Sequence, residues 1–381
     1  MMGESAKPAL NPHAEALSGI VVLDFSHVIA GPFATYYLAA LGARVIKVEN
    51  PQRGDAIRNK PLSFTSLNHG KEYLSLDLNL AADLAEAKQL ASSADIMVDN
   101  MRPGVLAKFG LGEPEVRASN PRLIHCSISG YGSQGEWAQR PAYDHVIQAA
   151  SGMTLMGGMA EDDPIKVGFP VIDSAAGILA ALGMVAAVRR RDLSGQGESL
   201  DISMLGAALQ LMYTMTVETM ASGQAPTRIG NAGYSKSPAA QTFACTDGFI
   251  AVGANTPQQV RKMAEVLGLD SAIKPLLVNE TNGFVGDSHG DTIKTLFAQA
   301  ISKRSATELE QSLNAVQVGA AKVRDLAQCV ADCRAAQALE AWTLHAEQEV
   351  TVPGLGFRAR GLYGGNSRPS WPFLSTVKDN A

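Results

Sequence analysis

The chain has 381 residues, enough for two compact units with a sizeable core, and its 46% hydrophobic content fits an ordinary globular α/β enzyme rather than a disordered or fibrous chain. A net charge of −5 excludes the basic footprint that nucleic acid or an anionic membrane calls for. Four cysteines, Cys126, Cys245, Cys329 and Cys333, show neither C-x-x-C pairing nor a regular framework, which fits a reducing compartment and argues against a metal site.

Residues 1–17 are polar, contain Pro8 and Pro12, and lack the apolar core of a signal peptide, so a cytoplasmic protein is expected. Residues 20–25 (IVVLDF) read as a strand, 32–41 as a helix opening after Gly31, and 43–49 (ARVIKVE) as a second strand. This is a βαβ unit with a parallel pair. Its loop, residues 26–31, falls at the carboxyl end of the first strand, where open α/β sheets place their ligands. The loop lacks G-x-G-x-x-G, so a nicotinamide cofactor is not supported there. His27 in it reads either as a base or as a solvated loop side chain.

Alternation continues with a strand at 73–77, a helix at 81–92 and a strand at 94–98. Beyond that strand, Asn100-Met101-Arg102-Pro103-Gly104 leads into a helix from about Val105. Arg102 beside a helix start suits an anionic ligand such as a phosphate, and reads equally as a surface arginine at a turn. Residues 123–129 form a strand followed by Gly130-Tyr131-Gly132-Ser133-Gln134-Gly135, which matches G-x-G-x-x-G without the helix or the ribose-binding acid of that fingerprint; a tight turn is expected. Tyr143-Asp144-His145 then opens a helix through about Ser151.

The stretch 167–191 (VGFPVIDSAAGILAALGMVAAVRRR) reads as a short strand or extended turn, 167–172, leading into a core helix over 175–188 that is too short an apolar run to span a bilayer. Asp173 falls at the N-cap. One reading is structural, an acid accepting hydrogen bonds from free backbone N–H groups. The other is chemical: a carboxylate kept ionised at a positive helix terminus, with Gly168, Ala175, Ala176 and Gly177 leaving room for a reactant, can act as a nucleophile. Arg189, Arg190 and Arg191 read as a solvated helix end with no further task. Residues 198–203 are a strand and 204–221 a methionine-rich core helix.

A polar segment, 222–238, marks the first boundary. It introduces a second unit over 225–335, with strands at 242–244 and 249–252 and helices at 258–267, 291–302, 306–315 and 323–329. Residues 350–381, rich in Gly and Pro, are expected to return along the first unit as an extended tail.

Five stretches in order, DFSHVIAGPFATYYLAALGARVIKVENPQRGD, VDNMRPGVLAKFGLG, SISGYGSQGEWAQRPAYD, PVIDSAAGILAALG and SGQGESLDISM, resemble the family III CoA-transferases, the CaiB/BaiF family. The resemblance is strong over residues 18–245. It implies an α/β fold: a Rossmann-like large domain with a parallel sheet, from 1–224 and 336–381, a smaller α+β domain from 225–335, and two chains threaded as an interlocked homodimer. It places the family's nucleophile at Asp173, the tyrosine and acid preceding it at Tyr143 and Asp144, and CoA contacts at Val28, Lys71, Asn100, Arg102 and Lys108. Asn50 stands where some members carry an arginine near the adenine. Residues 233–238 (GYSKSP) replace a glycine run that covers the intermediate in some members, and Lys236 is expected to meet an acidic acyl group.

The implied activity is transfer of CoA from an acyl-CoA donor to a carboxylic acid, a small dicarboxylate in the first instance, through an aspartyl mixed anhydride and an aspartyl-CoA thioester. A CoA thioester enters as substrate, with no permanently bound cofactor and no metal. Two rivals remain: an α-methylacyl-CoA racemase, which uses a His where this sequence has Tyr143, and a silent CoA-binding subunit.

Overall fold

The computed structural model describes residues 15–277, 289–344 and 350–357 and the backbone of 375–376. They divide into two compact units, one from Met1–Thr154, Lys166–Pro226 and Glu340–Ala381 and the other from Leu155–Ile165 and Thr227–Leu339. The second unit takes in residues 155–165 as well as 227–339, where a continuous segment over 225–335 was expected. Residues 155–165 belong there because the Arg228 guanidinium takes the carbonyls of Gly157, Asp162 and Asp163 at 2.7, 2.6 and 3.1 Å.

The first unit opens with β1 (Val21–Asp24), α1 (Ala30–Ala40), β2 (Arg44–Glu49), α2 (Pro61–Asn68), β3 (Glu72–Ser75), α3 (Ala81–Ser93) and β4 (Ile96–Asp99). It continues with α4 (Glu113–Ser119), β5 (Ile124–Ser129), α5 (Asp144–Ala150), α6 (Val171–Ser194), β6 (Ser199–Ser203), α7 (Met204–Leu211) and α8 (Tyr213–Ser222). Continuous runs of buried residues in β1, β2, β4 and β5 are the mark of strands covered on both faces. On one face Val22, Val98 and Ile128 pack against Leu38 of α1 and Ala180 and Met184 of α6; on the other Leu23, Ile46 and Met97 pack against Ala87 of α3 and Val116 of α4.

In the second unit β7 (Thr242–Cys245), β8 (Gly248–Val252) and, after α9 (Pro257–Leu267), α10 (Asp270–Ile273), α11 (Gly290–Ile301) and α12 (Ala306–Ala315), β9 (Ala320–Lys322) make a three-stranded antiparallel sheet. Three residues of Ala and Lys carry no strand signature, which is why β9 escapes a reading from sequence. The last helix, α13 (Leu326–Ala335), starts three residues later than expected because Asp325 and Gln328 form a reciprocal capping box. Residues 233–238 form a turn of this unit, with Ser235 Oγ on Asn255 Oδ1 and Ser237 Oγ on the Ala254 carbonyl.

The chain closes in the first unit with the hairpin of β10 (Ala341–Leu344) and β11 (Val350–Pro353), whose Trp342, Leu344 and Val352 cluster with Tyr36 of α1, and with β12 (Ser375–Thr376), parallel to β3. The rest of the expected tail lies outside the described residues. The main sheet runs β12-β3-β2-β1-β4-β5-β6, every pair parallel. Strand order reverses between β1 and β4, which makes the crevice at their carboxyl ends the topological switch point.

Helix α6 corrects several expectations. Residues 167–170 are not a strand; the helix begins at Val171, directly after Pro170, so Asp173 is the third helical residue rather than the N-cap. The run of 24 residues includes Arg189–Arg191, and Arg191 is buried with its Nη1 2.7 Å from Asp95 Oδ1. By length and composition alone α6 could cross a bilayer, yet half of its apolar window is buried inside this fold, against α1. Of the small residues expected to make room for a reactant, only Gly168 has open space beside it; Ala175 and Ala176 are buried, and a Cβ on Gly177 would lie 2.7 Å from the Ala30 carbonyl, so glycine there lets α1 and α6 touch. The expected methionine-rich core helix is broken at Met212, and α8 buries no residue, with Met220 82% exposed.

Replacing Gly177 by Ala gains about 1 kcal/mol of helix propensity. The clash with a backbone oxygen costs about 1–3 kcal/mol by overpacking. Thermal unfolding followed by circular dichroism is expected to give a lower Tm for Gly177→Ala; a higher Tm would show that α1 can retreat.

Candidate active site

A crevice of about 440 Å³ opens at the switch point, walled by the β1–α1 loop (His27, Val28), the β4 end (Asn100, Arg102) and the start of α5 and α6 (Tyr143, Asp144, Asp173). Local sequence explains each wall. Tyr143 has extended backbone and serves as N-cap of α5, so Asp144 becomes its first helical residue. The Asp144 carboxylate is then fully engaged: Oδ1 accepts from Gln148 Nε2 at 2.6 Å, and Oδ2 accepts from the backbone N–H groups of Ile172 and Asp173 at 2.7 and 3.1 Å. Asp144 thus caps α6 from the first turn of α5.

Asp173 is left in a different state from the one expected. The positive end of α6 is already taken by Asp144, and among the described residues no protein group donates a hydrogen bond to the Asp173 carboxylate. Burial, and then the neighbouring Asp144 charge, raise its pKa from 3.8 to about 7. It is a half-buried, uncommitted acid facing the crevice. Tyr143, 71% exposed, stands at the rim and stacks on His145, with ring centroids 6.3 Å apart.

The β1–α1 loop is held from beneath by buried charges. Lys47 Nζ donates to the Ser26 carbonyl at 2.8 Å and to Asp55 Oδ2 at 3.1 Å; Asp55 in turn accepts the Val28 N–H at 3.0 and 3.2 Å. Asn100 brackets His27, its Oδ1 accepting the His27 N–H at 2.8 Å and its Nδ2 donating to the His27 carbonyl at 2.7 Å. Asp24 accepts from Ser26 and Thr35 and pairs with Lys71 at 3.2 Å. Burial pushes Asp24 up, but Lys71, Lys47 and the hydrogen bonds from Ser26 and Thr35 together outweigh it and hold the carboxyl at about 2.

These contacts engage two of the residues expected to meet CoA. Lys71 is sealed in the fold, donating to Asp24, Thr35, Asn68 and the Pro32 carbonyl, so its ammonium cannot reach a ligand in the crevice. Asn100 lines the crevice, but its amide is committed to the loop. Val28 and Arg102 face the crevice, and Lys108 is exposed outside its lining. Asn50 lies in a neighbouring groove of about 440 Å³ with Arg53, Asp77 and Phe109; that groove shares His27, Met101 and Val105 with the crevice. His27 is pushed below its usual pKa, first by burial and then by Lys47.

Sequence reading missed Asp24, Lys47, Asp55, Gln148 and Arg140. Charged residues inside the apolar strands, Asp24 in LDF and Lys47 in IKVE, were the available signal. Arg140, another crevice wall, lies over the Trp137 ring at 4.4 Å and carries no local motif. The glycine loop is the tight turn expected, with Gly132 and Gly135 at φ 86° and 84°. The histidine a racemase would need is absent: Tyr143 holds that position, and His145 is exposed and outside the lining.

A doubly wound parallel sheet with an uncommitted carboxylate at its switch point, and arginines lining the same crevice, makes an α/β enzyme site suited to an anionic ligand. The profile of CoA-transferase family III matches residues 17–374, and the chain belongs to that family; it is an acyl-CoA:carboxylate CoA-transferase. It is 30% identical over 365 residues to the acetyl-CoA:oxalate CoA-transferase of Acetobacter aceti, covering 93% of this chain and 92% of that one. It is 33% identical over 267 residues to the succinate–glutarate CoA-transferase of Agrobacterium fabrum, 66% of each chain. The crystal structure of Rv3272 from M. tuberculosis superposes with a TM-score of 0.82 at 27% identity, covering 97% of this chain and 99% of that one.

Because Asp173 is raised from 3.8 to about 7, the folded state holds its proton more tightly than the unfolded chain. Its contribution to stability therefore falls as the pH rises from about 4 to about 7. Asp173→Asn removes that dependence. Urea unfolding between about pH 4 and pH 8 is expected to show the variant gaining on the wild type as pH rises; a constant difference would mean that Asp173 ionises normally.

Proposed function

We propose that the enzyme moves CoA from an acyl-CoA donor to a small dicarboxylate by covalent catalysis at Asp173. The observation that carries this reading is the Asp173 carboxylate itself, open to the crevice and without a hydrogen-bond donor, while its neighbour Asp144 is fully engaged. A carboxylate with a pKa near 7 is a stronger base and nucleophile than an ordinary one, and burial strips the water that would shield it.

The ionised Asp173 attacks the donor thioester carbonyl; the C–S bond breaks, giving a mixed anhydride and CoA thiolate. The thiolate attacks the aspartyl carbonyl, releasing the donor acid as carboxylate and leaving an aspartyl-CoA thioester. The acceptor carboxylate attacks that thioester and expels the thiolate, which then takes the acceptor acyl group and frees Asp173. Oxidation states do not change, so no redox cofactor is needed. Asp144 acts by position, holding the α6 terminus and raising the basicity of Asp173. Arg102 and Arg140 suit the anionic parts of the substrates, the second carboxylate of the acceptor among them. The groove that shares His27, Met101 and Val105 with the crevice suits the nucleotide end of CoA, with Arg53 and Asn50 along it. The oxalate and glutarate in the names of the two relatives support a dicarboxylate acceptor.

A homodimer fits the apolar surface of α6–α8, where Leu182, Leu211, Tyr213 and Met220 are more than half exposed. Light scattering is expected to give twice the chain mass; a monomer would leave that surface unexplained.

Incubation with succinyl-CoA or acetyl-CoA followed by peptide mass spectrometry is expected to place CoA or acyl on the peptide containing Asp173. Asp173→Asn should lose about 10³-fold or more of CoA exchange, and kcat/KM of the wild type should fall on the acid side of about pH 7, where Asp173 becomes protonated. Undiminished exchange by Asp173→Asn would end the proposal.

A further inference from the structure

The wall of the crevice formed by the β1–α1 loop carries an anomaly that the proposed chemistry does not use. Val28 has φ 66°, a left-handed conformation that a β-branched side chain resists because its branch crowds the backbone. Such a residue persists only where its surroundings over-determine it. Here they do. Both oxygens of Asp55 accept the Val28 N–H, and Lys47, fully enclosed with Asp55, ties that carboxylate to the Ser26 carbonyl two residues earlier. Asp55 is fixed in turn, its own N–H donating to Glu49 Oε2 at 2.8 Å, and Glu49 is gripped by Arg58. Two ions placed entirely inside the fold cost desolvation that a loop anchor alone does not call for.

The strained residue sits where its placement matters to the reaction. Val28 is 42% exposed at the crevice, and among the described residues no protein group donates to its carbonyl. Two residues on, the Ala30 carbonyl lies against Gly177, one helical turn after Asp173. Any relaxation of Val28 toward ordinary backbone therefore moves the wall that faces Asp173 and the contact that spaces α1 from α6.

We propose that Lys47 and Asp55 are positioning residues for CoA transfer, which hold Val28 in its left-handed conformation and so set the gap between the β1–α1 loop and Asp173. The proposal rests on the reading of the crevice as the thioester site. Displacement of about 1 Å at such a gap costs on the order of 10²-fold in turnover, so the pair acts on kcat more than on protein stability.

The test removes the pair without orphaning either charge. Lys47→Met/Asp55→Leu replaces two buried ions by apolar groups of similar size, a change that folded proteins tolerate; Asp55→Asn is the milder companion. CoA exchange is measured for each in two backgrounds, wild type and Val28→Gly, with kcat and KM separated and the folded fraction measured by circular dichroism. In the Val28 background the pair's removal is expected to lower kcat about 10²-fold with a smaller change in KM. In the Val28→Gly background the same removal should cost less than about 10-fold, because glycine adopts the left-handed conformation without being held there. An equal loss in both backgrounds, or unchanged kcat in the folded double variant, would overturn the inference. Loss of exchange in Asp173→Asn together with an unaffected Lys47→Met/Asp55→Leu would refute the positioning role alone and leave the covalent role of Asp173 intact.

Discussion

The carboxylate of Asp144 closes the open end of helix α6, and the site is organised by that contact. Helix α6 has no side-chain cap of its own, and its first N–H groups would be orphaned beneath the crevice. Asp144, 28 residues earlier in the chain, supplies the acceptor for Ile172 and Asp173. One hydrogen-bonded pair thereby does three things: it satisfies the helix terminus, fixes the direction of the first turn, and puts a negative charge beside Asp173. The two acids are driven apart in character by their surroundings, one saturated with donors and the other deprived of them, the pattern by which neighbouring carboxylates come to serve different roles.

Around this pair the charged residues divide into two groups. Lys71, Lys47, Asp24 and Asp55 are enclosed, each with several hydrogen bonds, and they brace the loop after β1 and the helix that follows it. Arg102 and Arg140 remain at the surface of the crevice, Arg140 over Trp137. The distinction is physical: a buried cation saturated by protein acceptors has nothing left to offer a ligand, whereas an exposed guanidinium keeps its fork of donors free. A rigid floor beneath an open, positively charged rim suits a substrate that is acyl at one end and anionic at the other.

Much of this was legible in the chain. The alternation of short apolar runs with helical patterns is a local signal, and it located the six long strands of the main sheet to within a few residues, and therefore the loops at its carboxyl edge, but it missed helices α2 and α4 and placed a helix from about Val105 where the chain makes only a short turn. The acid at 173, set among small residues at the start of a long apolar helix, stood out on the same grounds, as did the Tyr143-Asp144 helix start. The failures were of another kind. Nothing in the sequence near Lys71 and Asn100 showed that Asp24 and the His27 backbone would take their polar groups. The strand β9 had no residue preference to betray it, and its place is set by pairing with β8.

By itself, then, the sequence determined the alternation of strands and helices that makes the parallel sheet, and singled out the acid at the start of α6 as a candidate, since these follow from periodicities of two to four residues. Which acid caps the helix and which stays free, and which lysines are sealed away, were decided only by the tertiary structure. The contacts responsible join residues 28 apart in Asp144 and Ile172, 47 apart in Asp24 and Lys71, and 73 apart in His27 and Asn100. Contacts of that range leave no periodic trace in the chain; they exist only once the sheet has brought its strand ends together.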